Sequence, residues 1–404
     1  VVPMKIKSTI LFILLSLTPL FVLFEEKKLD VLIQNTLKTF DVPGISVGII
    51  KDGKVVYSKG FGLSSLTTKQ KMTDETLVGI ASNSKGFTGT ALAMLVDEGK
   101  LKFDDKVSQY IPEFKMNDAY VSQEVTIKDL ITHRAGLGLG QGDLMFFPEG
   151  GPLTVNDIIH NVRYLKPENP FRTTLDYNNI MFIVAGEVIH RVSGLSWAEF
   201  IEQRILKPVG MTSSYGSYSR AKAANVFNII DAHAPVDGKV IQVPHDWNET
   251  ANAAGGIMST VKDMNLWAQF LINGFTTKDG KKLVSDKQIQ QLWNLQISTP
   301  VPLKNTYNSN FGGYGLGWFL TDVKGHKQVY HTGGLIGTVT QFTLIPELNL
   351  GIVVLTNQQS GAAFSAITNS IKDSYLGMPE KDWVKAYGDR MLTINAEYAK
   401  GKKE

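Results

Sequence analysis

Cysteine is absent from all 404 residues, which excludes disulfides, thioether-linked haem and thiolate metal sites together and leaves the redox compartment open. A charge excess is nearly absent too: 41 Lys and Arg less 38 Asp and Glu leave +3. With no Lys/Arg stripe interleaved with aromatics, so small an excess excludes a protein built around phosphate neutralisation, and nucleic acid is set aside as a partner. The seven histidines are scattered, with no His-Glu-x-x-His or similar ligand spacing, so the sequence asks for no metal and no cofactor. No Gly-x-Ser-x-Gly elbow surrounds Ser82, which argues against an α/β-hydrolase. The glycine-dense stretch Gly136–Gly142 does not fit G-x-G-x-x-G and suits a loop beside a site better than a nucleotide cradle.

Long apolar runs are scarce as well. The exception is Ser8–Phe24, an uncharged run of 17 residues that follows Lys5 and Lys7 and ends at Glu25–Lys28. It falls short of the roughly 20 residues a spanning helix needs, so residues 1–28 read as a signal peptide or an N-terminal anchor. The expectation is an exported protein, periplasmic or extracellular, with or without a membrane tether. The rest, 43% hydrophobic and 20% charged overall, has the composition of a globular chain, long enough for two or three domains or one two-lobed domain.

After an amphipathic segment around Leu29–Thr39, Ile45–Ile50 and Val55–Gly60 flank Asp52–Gly53, the dipeptide that a tight hairpin turn demands. From about residue 83 to 295 the periodicity is helical. Thr126 with Asp129, Thr154 with Asp157, Ser196 with Glu199 and Thr260 with Asp263 mark helix starts as capping boxes, and Gly194 and Gly274 mark ends. His233 and His245 fall in a loop. Strands return at Tyr314–Leu320, Lys327–His331, Thr338–Pro346 and Gly351–Asn357. Two β blocks flanking one helical block predict an α+β fold: an antiparallel sheet formed by both chain ends, helices packed on it, and a mainly helical second lobe. The expected division is 1–28, a hydrolase-sized body over 29–378, and a charged helical tail over 379–404.

Ser82–Asn83–Ser84–Lys85 opens a helix whose apolar face runs through Phe87, Leu92, Leu95 and Val96. Serine is a poor nucleophile without a base. Residues three apart share a helix face, so Lys85 reaches the Ser82 hydroxyl, and burial or a neighbouring cation would lower its pKa enough for it to act as that base. Ser219–Lys222 and Ser259–Lys262 match the same spacing, and an N-cap serine before a solvated lysine fits any such pair. Two unique motifs separate them. Tyr177–Asn178–Asn179 is the one Tyr-x-Asn, where a tyrosine can share a proton with the lysine and an asparagine amide can grip a substrate carbonyl. His331–Thr332–Gly333 is the one His-x-Gly, at a strand end whose edge can pair with an extended substrate while Gly334 brings its N–H to a reacting carbonyl. Asp246–Trp247 fits either a pocket wall or surface packing.

In this order the motifs make the chain resemble the serine β-lactamase and penicillin-binding-protein superfamily, in the branch of class C β-lactamases, D-aminopeptidases and esterases. Resemblance runs from about Leu29 to Tyr375 and takes in Leu130–Leu137, Ala254–Asp263 and Tyr314–Trp318. It implies Ser82 as the acylated nucleophile, Lys85 and Tyr177 as the proton-handling pair, Asn179 as a substrate-amide contact, and His331, Thr332, Gly333 and Gly334 as the substrate-binding strand. The oxyanion hole would be the N–H groups of Ser82 and Gly334. The implied activity is that of a serine hydrolase acting through an acyl-enzyme on small esters or amides, D-residue peptides among them. The alternatives are a class C-like β-lactamase and a slow or non-catalytic penicillin sensor. Many β-lactamases open the strand motif with lysine. Here it opens with His331, and a free histidine, with a pKa of about 6.5, would favour carboxylate substrates only below that pH.

Overall fold

The computed structural model describes residues 18–246 and 249–401. Strands β1 (Gly44–Lys51) and β2 (Lys54–Gly62) form the hairpin that Asp52–Gly53 predicts, with φ of 51° and 75° at the two turn residues. The chain continues through β3 (Val78–Gly79), β4 (Ala232–Val236), β5 (Lys239–Val243), β6 (Met258–Ser259), β7 (Ile297–Ser298) and β8 (Gly312–Tyr314). It closes with β9 (Phe319–Val323), β10 (His326–Leu335), β11 (Thr338–Ile345) and β12 (Leu350–Thr356). Eight of these make one antiparallel sheet in the order β2-β1-β12-β11-β10-β9-β8-β7. The two chain ends meet one strand in from an edge, with Ile45 opposite Thr356 and Lys51 opposite Leu350.

Alternation along the strands divides the interior in two. Leu350, Ile352 and Val354 of β12 join Ile33, Ile367 and Trp383, from the helices Thr18–Thr39, Gly361–Tyr375 and Trp383–Gly401. Val353 and Leu355 face the other way, onto Phe87, Phe182 and Trp267 of the helices Ser84–Asp97, Ile180–Ser193 and Val261–Ile272. The sheet is therefore covered on both faces, which is why β12 reads as a continuous apolar run. Each such Ile, Leu, Val or Phe contributes about 1.5–3 kcal/mol by leaving water.

The structure departs from expectation in four places, three of them in the helical block. The helical block holds a second hairpin, β4 and β5, around Asp237–Gly238 with φ of 48° and 78°. His233 accordingly sits in a strand, not a loop: its Nδ1–H donates to Asn357 O at 3.0 Å, while Nε2 accepts from the Leu66 N–H at 3.2 Å. Three capping boxes close, but at Thr260 the Asp263 carboxylate instead accepts from Ser213 N–H (2.8 Å) and Ser214 Oγ–H (2.7 Å). The single strand expected over Tyr314–Leu320 is β8, a turn in which Gly315 N–H donates to Trp318 O (2.7 Å), and β9. The leader or anchor expected over 1–28 falls mostly on residues outside the described ones, as does Trp247. Among the described residues no single helix is long and apolar enough to cross a membrane.

Candidate active site

Ser82 lies in a single 3-10 turn, Ala81–Asn83, that runs straight into the Ser84–Asp97 helix. Ala81 precedes it at φ 50°, a left-handed conformation that costs a residue with a side chain of order 1–3 kcal/mol. The surroundings hold the kink: Asn83 Nδ2 donates to Ile80 O (3.2 Å) and to Thr340 Oγ1 (2.8 Å), tying the turn to β11. Ala81 and Asn83 are buried, and Ser82 between them is half-buried. β10 passes so close that a Cβ on Gly333 would lie 2.3 Å from Ile80 O and 3.0 Å from Ala81 Cβ. Glycine is the one residue that fits there.

One helical turn beyond Ser82, Lys85 is fully buried. Its Nζ is 3.0 Å from Ser82 Oγ, 2.8 Å from Asn179 Oδ1 and 2.8 Å from Ala254 O. Burial pulls its pKa down to about 7 against the attraction of Asp143. Tyr177 turns its hydroxyl toward Ser82, and burial holds that hydroxyl well above the ordinary tyrosine range. Its ring centroid lies 4.8 Å from Lys85 Nζ. Asn179, at the start of the Ile180–Ser193 helix, donates from Nδ2 to Asp143 Oδ2 at 3.0 Å. A hydroxyl, a lysine near neutrality and a neutral phenol thus converge on one point, a set able to pass a proton away from the serine.

The other Ser-x-x-Lys pairs do not assemble. Ser219 Oγ donates to Glu249 (2.9 Å), Ser259 Oγ shares a hydrogen bond with Ser214 (2.8 Å), and Lys262 is bound to Glu75 (2.6 Å).

β9 pairs with β10 only as far as Tyr330 opposite Phe319, so from His331 to Leu335 the strand is paired on its β11 side alone. Thr332 is half-buried and Gly334 is exposed on this stretch, and a Cβ on Gly334 would meet nothing within 4 Å. His331 differs from its neighbours. It is buried, its Nδ1–H donates to Thr332 O (2.6 Å), and Nε2 accepts from the Tyr314 hydroxyl (2.9 Å). Both ring nitrogens are spent inside the protein, and burial together with Lys85 lowers the pKa to about 3. The expected gain in carboxylate affinity below pH 6.5 therefore has no source in this ring.

Four residues at the site escaped the sequence reading: His133, Asp143, Tyr314 and Ala254. His133, at φ 55°, stacks on Tyr177 with centroids 4.1 Å apart, and its Nδ1 accepts from the Asn178 N–H (3.1 Å). Burial and then Lys85 and His331 hold it neutral. Asp143 follows the glycine-dense stretch directly. Position in the resemblance was the available signal for His133, Tyr314 and Ala254, which fall in the stretches Leu130–Leu137, Tyr314–Trp318 and Ala254–Asp263. Asp143 had none beyond adjacency to those glycines.

The family model described as beta-lactamase matches residues 29–374. Unguisins hydrolase ungD' of Aspergillus campestris is 29% identical over 375 residues, 88% of this chain and 67% of its own length. Protein flp of Staphylococcus aureus is 29% identical over 341 residues, 83% of this chain and 64% of its own. The chain thus spans about two thirds of the length of these relatives. The octameric penicillin-binding protein homologue from Pyrococcus abyssi superposes with a TM-score of 0.76 at 29% identity, over 91% of this chain and 81% of that one. A class C beta-lactamase mutant superposes at 0.68 with 21% identity, over 87% of this chain and 98% of that one, a likeness of fold.

Proposed function

As the chain belongs to the beta-lactamase family, we propose that it is a serine hydrolase working through an acyl-enzyme on small esters or amides, D-residue peptides included. The observation that carries this reading is the set of three partners around Lys85 Nζ. Asn179 Oδ1 and Ala254 O can only accept, so they take two N–H bonds of a neutral lysine and leave its lone pair directed at the Ser82 proton. Ser82 Oγ then bonds to the substrate carbonyl carbon as its proton passes to Lys85 Nζ. The N–H groups of Ser82 and Gly334 hold the resulting oxyanion. Collapse breaks the bond to the leaving group, which takes a proton from Lys85 through the Tyr177 hydroxyl. Water reverses these steps to free the acid and the enzyme.

The buried, neutral His331 supports uncharged esters and amides over carboxylate-bearing β-lactams, because it puts no positive charge at the start of the strand motif. Intact-mass spectrometry after exposure to a fluorophosphonate, an activated ester and a penicillin tests the reading. The parent should label once and turn the ester over. Ser82→Ala should do neither, while Ser219→Ala and Ser259→Ala behave as the parent. Residual labelling in the Ser82 variant would place the nucleophile elsewhere. Rapid recovery from a penicillin adduct, with faster turnover of penicillin than of ester, would favour the β-lactamase alternative.

A further inference from the structure

Lys85 can serve as a base only while its lone pair is free for Ser82, and that depends on which way the Asn179 amide faces. With the oxygen toward Lys85, as found, Asn179 receives an N–H from the lysine. Turned over, it would present its NH2 to the same nitrogen. It would then donate into the lone pair of a neutral lysine and consume the base, or oppose donor to donor against an ammonium. The group on the far side of the amide decides the orientation. That group is Asp143, whose carboxylate accepts from Asn179 Nδ2 at 3.0 Å and, while ionised, can do nothing but accept.

We propose that Asp143 is a positioning residue: it fixes the Asn179 amide with its oxygen toward Lys85 and so reserves the lysine lone pair for the Ser82 proton. The inference rests on the hydrolase reading above and names a residue that acts through Asn179, not on the substrate.

Two further observations point the same way. The loop is shaped to deliver this carboxylate: Gly140 and Gly142 bend at φ of 77° and 89°, Asp143 N–H donates to Gly140 O (3.1 Å), and Asn178 Nδ2 donates to Gly138 O and Gln141 O, each at 3.0 Å. The neighbouring Asn178 and Asn179 thus hold the loop and its product. Second, Asp143 Oδ1 is buried with no hydrogen-bond partner among the described residues, a cost that a merely structural carboxylate would be expected to avoid. The charge also matters. The polar groups around Lys85 are Ser82, Tyr177, Asn179, Ala254 O, His133, His331 and Asp143. With both histidines neutral, Asp143 is the one anion that favours the protonated lysine.

The test compares Asp143→Asn, Asp143→Leu, Asn179→Leu and the Leu/Leu double variant with the parent. Turnover of a p-nitrophenyl ester is measured for each. The Lys85 titration is followed by NMR of protein labelled at lysine Nζ. Asp143→Leu should lower kcat at least about tenfold with KM within about threefold. In the Asn179→Leu background the same change should cost no more than about threefold further, since both variants break one chain of contacts. Asp143→Asn, which keeps an acceptor oxygen and loses the charge, should move the Lys85 midpoint down by about half a pH unit or more. Since its remaining acceptor oxygen can still hold the Asn179 amide, its kcat on the high-pH plateau should stay within about threefold of the parent, a rescue that decides the matter even if the Leu variants fail to fold. A plateau kcat for Asp143→Asn as low as that of Asp143→Leu, or Leu variants whose losses multiply in full, would overturn the proposal. A parent that shows the shifted midpoint on comparison with Asp143→Asn but turns over no ester would instead overturn the hydrolase reading and leave the hold of Asp143 on Lys85 standing.

Discussion

At the scale of single residues, the chemistry depends on how far burial moves each group. An amine in water holds its proton to about pH 10.4, useless for a base at neutrality. Enclosed beside Ser82, Lys85 loses hydration of its charged form and titrates at about 7, even with Asp143 pulling the other way. The sign follows. In the proposed reaction the competent form is the neutral one, so activity should be full above the midpoint and fall tenfold per pH unit below it. The kcat/KM of the free enzyme for a neutral ester should therefore show one acid limb near pH 7. His331 adds no second limb, because its pKa of about 3 keeps it neutral throughout the working range. A pH profile over roughly pH 5–9 measures this. A limb centred near 6.5 that vanishes in a His331 variant would mean that the ring titrates and that the lysine does not control the rate.

Among the elements, β10 and the Ser82 turn form one unit, because the strand can run along Ser82 only where it has no side chain. Gly333→Ala would set a methyl carbon 2.3 Å from Ile80 O, a backbone atom that cannot move without shifting Ser82. It should lower turnover about a hundredfold, the scale of a 1 Å displacement of a reacting group, and destabilise the fold by about 1–3 kcal/mol. Gly334→Ala meets open space and should melt with the parent. Equal melting shifts in the two variants, or an active Gly333→Ala, would show that the approach of strand to turn is not what the glycine secures. These elements also mark how far the sequence could be read. Ser82, Lys85 and the turn at Asp52–Gly53 were legible because their signals are local: three residues on a helix, two in a turn. Asp237–Gly238 carries the same turn signal and went unread, because helical periodicity on either side outweighed it. Thr260 has the spacing of a capping box, but Ser213 and Ser214 claim Asp263 from a distance of some fifty residues in sequence, and no window contains that competition. His331 was recognised as a motif, while its burial under Tyr314 depends on how β8 and β10 are placed across the sheet. Asp143 and His133 reach the site only through the fold, so residue type alone could not single them out.

For the whole molecule, one sheet separates a face that carries Ser82 and Lys85 from a face that joins the chain ends. Ser82 follows Ile80 and Ala81, which belong to the core shared with the helical lobe. The opposite face belongs to the core under the helices Thr18–Thr39, Gly361–Tyr375 and Trp383–Gly401. There Trp383 is buried, stacks on Tyr387 at 5.5 Å, and donates from Nε1 to Asp373 Oδ2 at 2.6 Å. Asp373 Oδ1 in turn accepts from the Tyr307 hydroxyl at 2.9 Å. Removing the indole takes away a large apolar surface and leaves a buried carboxylate short of a donor, so the two losses add. Trp383→Ala should cost about 3–5 kcal/mol, a fall of roughly 5–15 °C in melting temperature for a chain of this size. The reacting groups lie across the sheet and touch none of these atoms. At 25 °C, well below the lowered melting point, ester kcat should therefore stay within about twofold of the parent. Calorimetry and turnover on the same preparation check both halves. A kcat that falls while the melting temperature holds would mean that the outer helices tune the site through the sheet, and the division of the molecule into a chemical face and a structural face would have to be given up.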